Sequence, residues 1–339
     1  MDYQGAQAMT RSSRTLGQLT FLLVPAFCCG TVAATDSSDA TTSAVNFTGP
    51  LLTPNPQNLP AGTWLVEPYL IHNSSSDAYN DQWDRYAKDE GTGQWLTIVP
   101  VFYGVTDRLQ LQLTAGLARS DSAGSHTSGF GLTDTTISAQ YMLIAPDKSR
   151  DIPAVSVRYS HQFPTGPYDH LGSNPLNGTG NGASTDTFSV LAQQYIWFPN
   201  GRPLRVRAAV SYTLPPNQVA INGVSVYGTP QDFRGQIRLG SSFGVSVGAE
   251  YSIDPQWVLA LDVAYNRVYA SQLQGVQDTG TALVPLESRN PTSKVVSLAP
   301  AIEYNFNDRI GVIGGVQFSA AGRNSDAFIT PQVAVNMVF

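Results

Sequence analysis

The stretch that decides the fold is the last one, 326-DAFITPQVAVNMVF-339. Read backwards, Phe339, Met337, Val335, Val333, Pro331 and Ile329 are apolar, and the residues between them are mostly small or polar. That is a period of two, so one face of a strand is apolar and the other is not. A soluble protein buries such a face against a second sheet. A membrane barrel turns it toward lipid.

The chain of 339 residues has a formal net charge of -6, with 13% charged and 42% hydrophobic residues. A mildly acidic balance argues against a nucleic-acid partner, because phosphate binding needs a concentrated basic surface. The composition is not that of a disordered chain. Beyond residue 35, no uninterrupted apolar run is long enough to cross a bilayer as a helix. An all-β soluble protein or a β-barrel fits these facts.

The N-terminus decides the compartment. From Met9, an alternative start to Met1, the chain carries Arg11 and Arg14, an apolar stretch from Leu19 to Cys29, and then Val32-Ala33-Ala34. This order of basic, apolar and small residues predicts a secretory signal over 1–34. Both cysteines, Cys28 and Cys29, fall inside it. The mature chain is therefore exported without a disulfide framework. Residues 35–62 are rich in Pro, Ser and Thr and show no period, which predicts an extended periplasmic leader. Its position predicts that it enters or covers the periplasmic mouth of whatever follows.

From residue 63 to 339 strands alternate with two kinds of connection. Short ones carry turn formers: 104-GVTDR-108, 145-APDKSRD-151, 198-FPNGR-202, 252-SIDPQ-256 and 305-NFNDR-309. Long polar ones cover 72–94, 121–131, 164–186, 215–233 and 274–291, with a last short one at 323–326. Strict alternation predicts a transmembrane up-and-down antiparallel β-barrel of about 12 strands. Greek-key sandwiches do not alternate this way. The expected strands are 63–71, 95–105, 109–119, 132–144, 153–163, 187–198, 204–214, 234–253, 257–273, 293–306, 310–320 and 327–339.

The faces agree. Trp257, Leu259, Leu261 and Val263 share one face of their strand and oppose Asp262; Val206, Ala208, Val210 and Tyr212 oppose Arg205 and Arg207. Aromatic residues gather at strand ends, as a membrane interface favours. Trp257 to Tyr265 spans roughly 26 Å at ~3.3 Å per residue. Tilted, that covers most of an apolar band ~25 Å tall.

Four stretches resemble a known family: 47-FTGPLLTPNPQNLPAGTWLVEPYLI-71, 100-PVFYGVTDRLQLQL-113, 157-VRYSHQFPTGPYD-169 and the terminal strand. The resemblance is to the phenol-degradation (meta-pathway) type of outer-membrane transporters and runs over most of the mature chain. It implies an outer-membrane barrel and uptake of aromatic compounds, and it assigns no ligand residues. A terminal Phe339 after alternating apolar residues also resembles the signal read by the barrel assembly machinery. The other partners expected are outer-membrane lipid, lipopolysaccharide and a small-molecule cargo.

Candidate chemistry is sparse. 244-GVSVG-248 matches a nucleophile pattern, yet Ser246 lies mid-strand where the pattern requires a sharp strand-to-helix turn. His72, His126, His161 and His170 remain after cleavage. Ser160 and His161 are neighbours along a strand and point to opposite faces, and Asp169-His170 falls in a loop, so neither gives the base-to-nucleophile contact a hydrolase needs. No cofactor, metal site or enzyme activity is expected. The acid-rich 77–90 segment lacks the spacing of a calcium loop and predicts a solvated outer loop.

The strongest functional feature is inward charge. Arg158, Arg205, Arg207 and Arg238, with Glu67, Glu250, Asp262 and Glu303, fall on the lumen parity. Basic and acidic groups are expected to line different sectors of the lumen, setting up a transverse field that orients dipolar solutes and sets selectivity, with Arg205 and Arg207 at a constriction. The expected function is a channel or transporter passing small molecules, aromatic or hydrophobic ones included. The alternatives are a plugged structural or adhesive barrel with surface-binding loops, a membrane-embedded hydrolase acting through Ser246 or His161, and a soluble sandwich.

Overall fold

The structure, a computed structural model, describes residues 47–122, 124–147 and 151–339. The expected signal over 1–34 lies outside them. Twelve strands form the wall: β1 Tyr69–Tyr79, β2 Arg85–Thr106, β3 Leu109–Ser122, β4 Thr135–Ile144, β5 Ala154–Phe163, β6 Thr185–Trp197, β7 Pro203–Thr213, β8 Ser242–Ser252, β9 Trp257–Val268, β10 Ser293–Asn305, β11 Ile310–Arg323 and β12 Ser325–Val338. Each pairs antiparallel with the next, and β12 returns to β1 through Gln332↔Ile71, Val333↔Leu70 and Ala334↔Tyr69. The barrel is closed, so the wall has no free edge.

The short turns form where the sequence supplies side-chain acceptors. Asp254 Oδ1 accepts the N–H groups of Gln256 and Trp257 at 2.8 and 2.7 Å, and Asn307 Oδ1 accepts those of Arg309 and Ile310, both at 2.8 Å. Each side chain mimics a backbone turn and starts the next strand. Gly201 takes the left-handed φ of 74° that its turn requires.

Along the strands, burial alternates. Trp257, Leu259, Leu261 and Val263 are exposed at the outer surface, while Val258, Ala260, Asp262 and Ala264 are buried. In β12, Ile329 and Val333 are exposed and Thr330, Ala334 and Asn336 are buried. An apolar outside around a largely polar inside is the reverse of a soluble core and is what lipid requires. Aromatic rings pack in the rim with the short turns, where Trp257 lies 4.7 Å from Tyr304 and Trp64 lies 4.5 Å from Tyr103, centroid to centroid. The terminal Phe339 exchanges two backbone hydrogen bonds with Trp64, at 2.8 and 3.1 Å.

Four local expectations are corrected. The first strand is split: Trp64–Val66 bridges β2 and β12, and the ladder resumes at Tyr69 after Pro68, which has no N–H to give. The 72–94 connection is mostly strand, since β1 runs to Tyr79 and β2 starts at Arg85. That polar ribbon stands above the lipid and so shows no apolar period. It is held by pairs such as Arg85 with Asp77 at 2.6 Å. The expected strands 234–253 and 257–273 each break near the rim. Beyond the break, Phe233–Arg238 and Ser271–Asp278 join Val219–Asn222 and Leu283–Asn290 in a separate four-stranded sheet. Ile237 is buried there with Phe233, Ile221, Leu273 and Ala183.

Candidate functional site

The lumen is occupied by the chain itself. Residues 47–56, 58 and 59, from the segment read as a leader, are buried inside the barrel. The segment arcs round the wall, and successive strands hold it. Glu303 of β10 accepts the Thr48 N–H at 2.7 Å, and Thr48 Oγ1 donates to Asn305 Oδ1 at 2.9 Å. On β9, Asp262 takes the N–H groups of Leu52 and Thr53, each at 3.1 Å, and the Thr53 hydroxyl at 2.7 Å. Gln193 of β6 donates to Gln57 at 3.0 Å. Gln140 of β4 donates to the Asn55 and Pro56 carbonyls at 3.1 and 3.2 Å. Ser156 of β5 also donates to the Pro56 carbonyl. Gln110 of β3 accepts the Leu59 N–H at 2.8 Å.

An irregular segment has no ladder to satisfy its peptide groups, so a barrel that encloses one must supply polar side chains. That is what the inward amides and carboxylates do here. On the opposite wall, Leu51 and Leu52 join Tyr69, Ile71, Ile313 and Ala334 in an apolar cluster. Gly248 makes room: a Cβ there would lie 2.9 Å from Pro50 Cγ and 2.7 Å from Asp262 Oδ1.

Seven of the eight predicted charges fall into four groups inside the barrel. Arg205 and Glu250 face each other in the β7–β8 register and form a bidentate pair, with Nε to Oε2 at 2.6 Å. Arg207 reaches the same carboxylate at 3.5 Å, donates to Gln193 at 2.9 Å and lies 3.4 Å from the Thr53 carbonyl. Arg205 also stacks over Phe47, 4.3 Å from its ring centre. Asp262 and Glu303 hold the leader. Arg158 donates through Nε to Gln140 at 2.9 Å, which in turn holds the leader. Glu67 sits at the β1–β12 seam and accepts from Asn336 at 3.2 Å.

Two expectations change here. Basic and acidic groups do not occupy different sectors, because antiparallel register sets Arg205 and Glu250 side by side. Arg238 is not in the lumen; it is exposed on the four-stranded sheet. There it lines an open pocket of about 830 Å³, with Pro215, Leu239, Gly240, Ala270 and Arg289, where the barrel strands break. The holding amides Gln110, Gln140 and Gln193 were missed as site residues. Their only signal is lumen parity, which uncharged residues share with any polar wall position. Among the described residues, no group of three His, Cys, Asp or Glu is placed to hold a metal ion.

A closed antiparallel barrel with an apolar exterior, rim aromatics and a polar, chain-filled lumen defines a bacterial outer-membrane β-barrel. The chain belongs to the family described as "Putative MetA-pathway of phenol degradation", which matches residues 73–328. No curated protein matches it in sequence. Among solved structures, it is similar to an outer membrane channel from Pseudomonas putida F1, with a TM-score of 0.61 and 15% identity over 84% of this chain and 98% of that one. Looser likenesses include the translocator domain of the autotransporter NalP from Neisseria meningitidis (TM-score 0.39, 13% identity, 82% and 89% covered) and the toluene transporter TbuX of Ralstonia pickettii (0.35, 11%, 83% and 90%). At these identities the likeness to the Pseudomonas channel is one of fold, and the other two are too distant to bear on function.

Proposed function

We propose that this protein is an outer-membrane channel for small hydrophobic or aromatic molecules, with residues 47–59 as its plug. One observation carries this reading: the lumen is closed by a segment held largely through hydrogen bonds, and not by side chains of the wall packed against each other. Hydrogen bonds to peptide groups exchange readily for water or ligand, whereas a packed apolar core does not. Membership of a phenol-degradation family supports transport as the class of function, as does a shared fold with a Pseudomonas protein that is itself an outer membrane channel. The open pocket at the strand break offers cargo an alternative to the filled lumen. The competing reading, a sealed barrel that presents its outer loops, is favoured by the separate four-stranded sheet with its own apolar core.

Planar-bilayer recording of the refolded mature chain, with and without residues 35–60, separates the two. Channel steps that enlarge on removing the leader support the plug. A folded barrel that stays silent in both forms supports the sealed reading. Uptake of a labelled aromatic into proteoliposomes then tests cargo class.

A further inference from the structure

The histidine that sequence reasoning set aside does meet a serine. Ser184, just before β6, places Oγ 3.0 Å from His161 Nε2. His161 Nδ1 lies 2.8 Å from Asp186 Oδ1, and the Tyr159 hydroxyl donates to that same oxygen at 2.6 Å. The register explains the encounter. His161 of β5 pairs with Asp186 of β6, and directly opposed residues share a face. Ser184 is two positions before Asp186, so it returns to that face.

The face is the outer one. Ile137, the partner of His161 on β4, is exposed there, as are Tyr159, Phe163 and Phe188. His161 packs edge-on against Phe163, with ring centres 4.5 Å apart. The cluster sits at the rim carrying the long connections, with aromatic rings around it. Such rings mark the level of lipid headgroups, and that is where the ester bonds of membrane lipids lie.

We propose that Ser184, His161 and Asp186 form a hydrolytic site for acyl esters of membrane amphiphiles. This activity is separate from the lumen and does not depend on the channel reading. The three roles are recognised by geometry, not by chain order. Asp186 fixes the tautomer with the proton on Nδ1, leaving Nε2 to act as base. The Ser184 oxygen bonds to the ester carbonyl carbon as its proton passes to Nε2. Collapse of the adduct breaks the acyl C–O bond, and the departing alcohol takes that proton. Water then attacks the acyl-serine by the same route, releasing the fatty acid and restoring the serine.

The test uses the full mature chain refolded in detergent micelles, with p-nitrophenyl octanoate as substrate and an alkyl fluorophosphonate as covalent probe. Hydrolysis should fall at least 100-fold in Ser184→Ala and in His161→Ala, and be unchanged in Ser246→Ala. Mass spectrometry should place the phosphonate on Ser184. Heat-modifiable migration reports folding of each variant. If a variant fails to fold, labelling of the unaltered protein decides. No label on Ser184, or hydrolysis equal to that of a folded Ser184→Ala, overturns the proposal.

Discussion

Asp262 and Thr53 stand 209 residues apart in the chain, yet one carboxylate oxygen of Asp262 accepts both the N–H and the hydroxyl of Thr53. The other oxygen takes the N–H of Leu52. This carboxylate makes three hydrogen bonds to the lumen segment, as many as Gln140 makes. Asp262→Ala removes three hydrogen bonds to a charged acceptor, each worth about 1.5–3 kcal/mol. The plug should loosen, and single-channel conductance should rise several-fold. Conductance equal to that of the unaltered protein would sink the anchoring role.

Gly248→Leu reaches the same end without touching a charge. Its side chain would occupy the space of Pro50 and crowd Asp262. The expected result is faster proteolysis of the leader in the folded barrel, together with higher conductance. A leader as resistant as before would mean that the segment is held elsewhere.

The Arg205–Glu250 pair is fully buried. Removing Arg205 takes away the bidentate partner of Glu250 and leaves it only the longer contact with Arg207, so Arg205→Ala should destabilise the barrel by up to about 3–5 kcal/mol. The double variant Arg205→Met with Glu250→Met should cost less than the single one, because no buried carboxylate is left short of its partner while Arg207 keeps its bond to Gln193. Urea unfolding followed by tryptophan fluorescence measures both. Equal losses would show that the pair acts through packing alone.

Leu261 faces lipid in the middle of β9. Leu261→Arg should cost about 2–4 kcal/mol if that position lies near the midplane. The same unfolding assay applies, and a loss below about 1 kcal/mol would place the residue at an interface instead.

Asp134 clamps the long connection between β5 and β6, accepting the N–H groups of Gly166 and Asn181 at 3.0 and 2.9 Å. Burial raises its pKa above the ordinary carboxylate value, against the lowering effect of those two bonds. A carboxyl whose folded pKa is raised binds its proton more readily in the docked state. Its contribution is therefore complete below the undocked value and falls as pH rises through the raised one. Hydrogen exchange at Gly166 and Asn181, corrected for intrinsic rates, should show weakening protection over that interval. Asp134→Asn should flatten the dependence; an unchanged slope would assign it to another group.

What the sequence determined by itself is the barrel. Period-two patterning, the alternation of short and long connections, and charges at mid-strand are local properties, and a closed meander of neighbours in the chain needs little more. The lumen parity of Arg205, Arg207, Glu250, Asp262 and Glu303 was legible for the same reason. Tertiary structure alone decided their partners. Strand register joined Arg205 to Glu250 and carried Ser184 and Asp186 to His161, contacts that neighbouring positions in the chain cannot make. The break beyond Ser242 moved Arg238 out of the lumen, because two strands left the wall to pair with other segments. Above all, closure of the barrel decided where the leader goes. A segment with no period can satisfy its buried peptide groups only where a surrounding wall offers donors and acceptors, and that wall exists only once all of its strands have met.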